Sequence, residues 1–393
     1  MILSQSLALL CSRRLNIIAL CVLPLAFFLG LRQQLSWRPQ ILGENHRAGV
    51  FCIAFSPDGD ALLVGTPLGV ELWDVQTRSL QRNIASSQFR GAGVFSPDGE
   101  TLALGHISRV DYSYIWSVNL VDAGTGALRR SFYVGNLQNA TISTLAYSPD
   151  GNLLACGTHE QGGYNSNSRH RVLVWDVHTG APLWTIDESG YAIRSLAFSP
   201  NGAALAIGSS NGVSDGGRVR IFNTTTGQIL LELQGRQPLP LCGGIVNGTP
   251  APLPAFAVPI DTRPNGRGVT FLSDTVLRTQ GDSGVILWDI GAGQVLPSPT
   301  IVSFFGTTTE LTGSPDGTLL AATDTYLVNP ASGAKSRVSL WNFKTGHLVR
   351  HLDSISGTTN LLSISPDKRV LVTASTHGGR LAGDSVVRLW RLK

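Results

Sequence analysis

The chain has 393 residues, of which 42% are hydrophobic and only 14% charged, with 44 glycines and a formal net charge of +4. Its Arg residues are scattered and form no basic stripe interleaved with aromatics, so no nucleic-acid partner is expected. The length exceeds one compact core but suits a ring of repeated units, and five Cys make no disulfide framework.

In chain order, residues 1–14 form a short N-terminal tail. Residues 15–31 (LNIIALCVLPLAFFLGL) are uncharged and lie between Arg13-Arg14 and Arg32. This is the pattern of a transmembrane helix, at the low end of the roughly 17–25 residues that span a bilayer. A buried helix packed on the folded body is the alternative. No small residues at A-x-A spacing come after it, which favours an uncleaved membrane anchor over a signal peptide. Ser12-Arg13-Arg14 resembles a twin-Arg signal, but Asn16 stands where an apolar residue is wanted. Cys21 has no small residue before it, against lipoprotein processing. Arg13 and Arg14 on one side are balanced by Arg32 and Arg38 on the other, and the short basic tail favours an extracytoplasmic location for the rest of the chain. Residues 32–37 are a linker.

From there one pattern recurs. Phe55-Ser56-Pro57-Asp58-Gly59 returns as Phe95–Gly99, Tyr147–Gly151, Phe198-Ser199-Pro200-Asn201-Gly202, Ser314–Gly317 and Ser365-Pro366-Asp367-Lys368, with a degenerate copy at Phe271-Leu272-Ser273-Asp274. Each copy is answered by an apolar strand ending Leu72-Trp73-Asp74, Leu120-Val121-Asp122, Val174-Trp175-Asp176, Ile221-Phe222-Asn223, Leu287-Trp288-Asp289, Leu340-Trp341-Asn342 or Leu389-Trp390-Arg391. In the third repeat, Thr144–Tyr147 is a first strand, and Ser148-Pro149-Asp150-Gly151 is a turn with Pro at its first central position. Leu153–Gly157 returns, Val172–Trp175 is the third strand, His178-Thr179-Gly180 turns the chain, and Pro182–Ile186 is the fourth strand. Four antiparallel strands repeated about every 40 residues describe blades arranged around an axis. Trp73, Trp175, Phe222, Trp288, Trp341 and Trp390 read as core, and Asp74, Asp176 and Asp289 as turn residues.

This pattern resembles the WD-repeat β-propeller family from about residue 38 to the C-terminus. The fold expected is all-β: a seven-bladed β-propeller of four-stranded antiparallel blades (38–393), preceded by the one N-terminal transmembrane helix. The repeats lie near 46–84, 88–133, 141–187, 192–234, 267–297, 308–352 and 358–393. The last repeat stops after its third strand, so the resemblance implies that residues near 38–43 close it from outside. The family's Gly-His pair is nearly absent, with only His46 roughly placed. Asp282 and Asp384 sit where the Asp of its buried His–Asp–Ser/Thr–Trp network would be.

Insertions fall between second and third strands, at 106–117, 158–171, 209–218, 323–337 and 376–386, and between blades at 235–266. In an antiparallel blade these connections share one face, which is therefore the candidate binding face. Residues 111–116 are expected to place Tyr112, Tyr114 and Trp116 in a loop, as interface anchors. The Pro/Gly-rich stretch 235–266, with Pro238, Pro240 and Phe256, is expected to hold neither strand nor helix. His159, Tyr164 and Tyr326 complete the candidate partner-binding residues. Gly, Asn and Ser at 162–168 read as flexible surface. Cys52 and Cys156 read as buried, and Cys242 as exposed. Asn139, Asn223 and Asn247 head N-x-T sequons.

No Gly-x-Ser-x-Gly elbow, phosphate loop or metal-ligand spacing appears, so no cofactor, metal or catalytic residue is assigned. The function expected is a membrane-anchored protein–protein interaction scaffold that binds another protein or complex through the loop-rich face. The alternatives are a small-molecule or glycan sensor using Tyr112, Tyr114 and Trp116 and, less favoured, an enzyme drawing on the loop acids Asp111, Glu160, Asp215 and Asp324.

Overall fold

A computed structural model describes residues 40–46, 49–85, 88–136, 140–160, 169–210, 217–233, 245–246, 249–250, 268–281, 284–296, 307–329, 333–376 and 385–392. Strand β1 (Gln40–His46) precedes seven four-stranded antiparallel units. Blade 1 is β2 (Cys52–Phe55), β3 (Ala61–Thr66), β4 (Gly69–Asp74) and β5 (Leu80–Ala85). Blade 2 is β6 (Phe89–Phe95), β7 (Thr101–Val110), β8 (Ser113–Asp122) and β9 (Leu128–Asn136). Blade 3 is β10 (Ala140–Tyr147), β11 (Leu153–Glu160), β12 (Arg169–Asp176) and β13 (Pro182–Ser189). Blade 4 is β14 (Ala192–Phe198), β15 (Ala204–Ser210), β16 (Gly217–Asn223) and β17 (Ile229–Leu233).

After blade 4 comes a small ribbon, β18 (Ile245–Val246) with β19 (Thr249–Pro250). It corrects the expectation that 235–266 holds no strand: two-residue edges tolerate a Pro that a central strand would not. Blade 5 is β20 (Thr270–Phe271), β21 (Val276–Gly281), β22 (Gly284–Asp289) and β23 (Gln294–Val295). Blade 6 is β24 (Thr307–Gly313), β25 (Leu319–Asn329), β26 (Gly333–Asn342) and β27 (Leu348–Ser356). Blade 7 is β28 (Thr358–Ile364), β29 (Val370–Thr376) and β30 (Ser385–Arg391), with β1 paired outside β30, Gln40 opposite Leu389 and Leu42 opposite Val387.

The first strand of each blade lies innermost. β2 touches β6 and β28, β6 touches β10, β10 touches β14, β14 touches β20, and β24 touches β28. Cores lie between blades. Leu42, Val387 and Leu389 of blade 7 join Leu62, Val64 and Trp73 of blade 1 in one such core. Trp175 packs its ring 5.3 Å from Phe132 across the junction of blades 2 and 3. Within two blades the buried indole N–H is satisfied by a second-strand hydroxyl. Trp288 donates to Thr279 Oγ1 at 2.9 Å and Trp390 to Thr373 Oγ1 at 3.1 Å.

The Ser-Pro-Asp-Gly turns explain themselves locally. Ser56 Oγ donates to Asp58 Oδ1 at 2.5 Å and accepts the Ala61 N–H at 2.9 Å, while Asp58 Oδ1 accepts the Asp60 N–H at 3.0 Å. Ser96, Ser148, Ser199, Ser314 and Ser365 make the same first contact with Asp98, Asp150, Asn201, Asp316 and Asp367. The residue after each third-strand Trp or its substitute closes the other turn. Asp74, Asp122, Asp176, Asn223 and Asn342 each accept the N–H three residues on. Both turn types emerge on one face of the disc, here the turn face; the second-to-third-strand hairpins and the blade-to-blade connections emerge on the other, the loop face.

Residues 1–14, the expected membrane span 15–31 and the linker 32–37 lie outside the described residues. Among the described residues no helix is long and apolar enough to cross a membrane.

Candidate functional site on the loop face

Two hairpins stand above the loop face. β7 and β8 remain paired as far as Val110 opposite Ser113, and β25 and β26 as far as Asn329 opposite Gly333. Residues expected to be loop at 106–110 and 113–117 are therefore strand. β-Formers such as Ile107, Val110, Tyr114 and Ile115 continue the ladder, and a two-residue turn with Asp111 in the left-handed region (φ 55°) closes it. β6 covers β7 only to His106, and β9 covers β8 only to Ile115, so the tip rises clear of its blade. Four residues of overhang amount to about 13 Å.

The three aromatics part company on this hairpin. Tyr112 at the turn is 88% exposed and Tyr114 41%, with the Arg109 guanidinium 6.0 Å from the Tyr114 ring centre. Trp116 is 4% exposed and belongs to the core with Phe132, Val134 and Ile142, so it is not the surface anchor expected of it. The period of two along a strand puts Arg109, Tyr114, Ile107 and Trp116 on one side; of the deeper pair Trp116 is buried and Ile107 half-buried, and the upper pair emerges. Val110 (50%), with Leu68 (77%) and Phe51 (39%) of blade 1, adds exposed apolar surface to the loop face.

His159 sits on β11 opposite Thr141, stacked on His170 with ring centres 5.4 Å apart. It belongs to a polar cluster where blades 3 and 4 meet near the loop face. His170 lies opposite Glu188, and both are 2% exposed. Glu188 pairs with Arg220 and, at 4.0 Å, with Arg218, which also covers the Tyr191 ring at 4.3 Å and approaches Glu232 at 3.5 Å. Burial, with Arg194 and His170 nearby, lowers the His159 imidazole to about 4, so it is neutral near pH 7. A buried carboxylate held by two guanidiniums fixes the blade junction in one register.

Tyr326 lies on β25 opposite Lys335. Tyr164, Pro238, Pro240 and Phe256, with Cys242, the sequons' Asn139 and Asn247, and Asp215, Asp282 and Asp384, lie outside the described residues. Of the loop acids, Asp111 occupies the β7–β8 tip. Cys52 is half-buried and Cys156 buried, and burial pushes the Cys52 thiol up to about 12. Among the described residues, no group of three or more His, Cys, Asp or Glu could hold a metal.

Comparison with known proteins agrees with this architecture. A family profile described as "WD domain, G-beta repeat" matches residues 38–74 and 129–176, and one described as "Anaphase-promoting complex subunit 4 WD40 domain" matches 168–244. The chain is 26% identical over 194 residues to COMPASS component SWD3 of Saccharomyces cerevisiae, covering 49% of this chain and 54% of that protein. It is 27% identical over 191 residues to WD repeat-containing protein SL1-17 of Schistosoma mansoni, covering 48% and 55%. With B-type cell cycle switch protein ccs52B of Medicago truncatula it shares 26% over 185 residues, 46% and 33%. The matches span about half the length of the first two relatives. With seven four-stranded blades, the repeated turns and these profile matches together, the chain belongs to the WD-repeat β-propeller family.

Proposed function

We propose that this protein is a membrane-tethered interaction platform that holds another protein or complex on its loop face, with Tyr112 and Tyr114 as anchors. The observation that carries this reading is the β7–β8 hairpin, which lifts two exposed tyrosines and Arg109 clear of its own blade. Tyr and Arg are the residue types that most often dominate binding energy at interfaces. The yeast relative is by name a component of COMPASS, which is support by kinship.

The course of β1 decides how such a tether would hold the disc. β1 is antiparallel to β30, which descends from the loop face to the turn face, so β1 rises from the turn face and the chain before Gln40 leaves from there. With residues 15–31 in a bilayer, residues 32–39 span at most about 27 Å. The turn face is then held toward the membrane and the loop face is presented away from it, on the extracytoplasmic side by the basic tail.

The test is crosslinking and affinity purification from detergent-solubilised native membranes with three proteins: the full chain, the Tyr112→Ala/Tyr114→Ala variant, and a chain lacking residues 236–265. A specific protein recovered with the full chain and lost with the tyrosine variant is expected. An identical set from all three folded proteins overturns the reading.

A further inference from the structure

Among the described residues, the exposed large apolar side chains away from the loop face all stand on the outermost strand of their blade, and all but Tyr133 occupy one of its first two positions. Those positions are at the turn-face end, so the apolar belt runs around the rim of the disc at that level. The flat of the turn face is different in kind. Its turns pack one on the next, and they present carboxylates such as Asp58, Asp98 and Asp150. A Cβ on Gly59 would lie 3.5 Å from Cδ of Pro366 and one on Gly99 3.5 Å from Cδ of Pro57. Apolar contact on this side of the molecule therefore belongs to the rim.

One sector of the rim differs from the rest in charge. The turn after the third strand opens on a carboxylate in blades 1, 2, 3 and 5, at Asp74, Asp122, Asp176 and Asp289. In blade 6 it opens on Asn342 and continues to the exposed Lys344, and in blade 7 the same position is the exposed Arg391. On the outer strands of these two blades Leu348 (39%), Val349 (55%) and Ile41 (58%) are exposed, and the half-buried Arg350 comes next on β27. The first acid on β27 is Asp353, five residues and about 17 Å from Leu348 toward the loop face, and on β1 it is Glu44. The turn acids of this sector, Asp316 and Asp367, are engaged by Lys368 and Arg369. Blade 4 also lacks the turn carboxylate, having Asn223, but it offers no Lys or Arg in that turn or on β17.

Apolar side chains flanked by cations and clear of carboxylates suit the headgroup region of a bilayer, where each cation gains from anionic lipid. The path of the chain leads to the same place. β1 enters the disc at the turn-face end of blade 7, with Gln40 opposite Leu389, so residues 32–39 arrive from the apolar segment 15–31 in this sector.

We propose that the rim of blades 6 and 7 rests directly on the bilayer, with Ile41, Leu348 and Val349 in the interface and Lys344 and Arg391 on the headgroups of anionic lipids. The inference rests on the tether and deepens it: the disc leans on this edge, and the linker holds it there.

The test uses the full chain, one copy per lipid nanodisc, in phosphatidylcholine with or without phosphatidylglycerol. A single environment-sensitive fluorophore sits on an introduced cysteine, with Cys11, Cys21 and Cys242 replaced by Ser. Quenching by brominated acyl chains is compared between positions. Val349→Cys reports the proposed rim, Leu183→Cys the matching apolar position of blade 3, Tyr112→Cys the loop face, and Phe27→Cys the apolar segment. In anionic discs the Val349 label is expected to be quenched about threefold or more beyond the Leu183 and Tyr112 labels. Lys344→Glu with Arg391→Glu should reduce that quenching about twofold or more and leave the Phe27 label unchanged. If the Phe27 label is quenched and the Val349 label no more than the Leu183 label, the contact is overturned and the tether stands. If the Phe27 label is not quenched, both are overturned. A Val349 label shielded from iodide but untouched by brominated lipid places protein on the rim and overturns the contact. Equal quenching with and without phosphatidylglycerol overturns the assignment to anionic lipid.

Discussion

The closing strand offers the sharpest test of the ring, because its two neighbouring apolar residues face opposite ways. Leu42 is 2% exposed and packs among Val387, Leu389 and Trp73, whereas Ile41 is 58% exposed. Truncating a buried Leu to Ala costs about 2.7–5 kcal/mol, increasing with the cavity left behind. β1 is an outer strand near the chain's start and can settle inward, so Leu42→Ala should fall at the low end, about 3 kcal/mol. Ile41→Ala loses contacts that water already shares and should stay within about 0.5 kcal/mol. At about 2.1 cal/mol/K per residue, unfolding some 350 residues carries roughly 0.7 kcal/mol/K, so 3 kcal/mol lowers Tm by about 4 °C. Thermal and urea melts followed by near-UV circular dichroism give both values, and protease cleavage before residue 49 reports loss of β1 itself. Equal melting temperatures for the two variants would refute the register, since they would mean that β1 does not bury Leu42 between blades 7 and 1.

Thr279→Val and Thr373→Val each leave a buried indole N–H, of Trp288 and Trp390, without its acceptor, and each should lower stability by about 1–3 kcal/mol in urea titrations. Glu188→Gln leaves Arg220 and Arg218 without their buried counter-charge and should cost about 3 kcal/mol or more, while Glu188→Gln combined with Arg220→Met should cost clearly less than the sum of the two single changes in a double-mutant cycle. His159 is held neutral by burial, its folded value of about 4 lying below the ordinary 6.5, so its contribution is full above pH 6.5 and is lost as pH falls toward 4; His159→Gln should shrink the drop in Tm between pH 7 and pH 5. The turn aspartates act lower on the scale. Asp58, Asp98 and Asp150 are lowered chiefly by their Ser hydroxyls, and Asp122, chiefly by Arg129, to about 2. Their stabilisation is therefore intact above pH 4 and should fade as pH drops from 4 toward 2 in an acid-unfolding titration.

Much of this architecture is written locally. Ser-Pro-Asp-Gly encodes a turn through hydrogen bonds that reach no more than five residues, and an apolar run ending in Trp-Asp encodes a third strand and the next turn within another few. What joins one blade to another is not legible in the sequence. The Asn201–Asp274 contact spans 73 residues, and the Lys368–Asp316 pair spans 52. A Pro stacked on a Gly some 40–55 residues later leaves no mark that separates it from two independent turns. The hairpin at 106–117 differs from the expected loop for another reason. Its residues are good strand formers, but an insertion relative to the other repeats suggests a loop, and only the pairing of Val110 with Ser113 shows a ladder extended instead. Trp116 shares that fate, since burial alternates along a strand and a loop reading discards the alternation.

The contrast between the two faces has a mechanical origin. On the turn face each turn touches the turn before it, so an inserted residue in one blade would displace a Pro–Gly contact in the next, and the constraint runs around the ring through the closure at Gly59 and Pro366. A turn there can be replaced only with compensation, as where Asp274 takes a hydrogen bond from blade 4 and Leu272 stands against Gly317 of blade 6 in place of a Pro. On the loop face the second and third strands lengthen along their own axis, and β7–β8 and β25–β26 do so without moving the inner ring. Variation therefore accumulates where it costs no packing, and that freedom is what allows exposed aromatics such as Tyr112 and Tyr114 to be raised there.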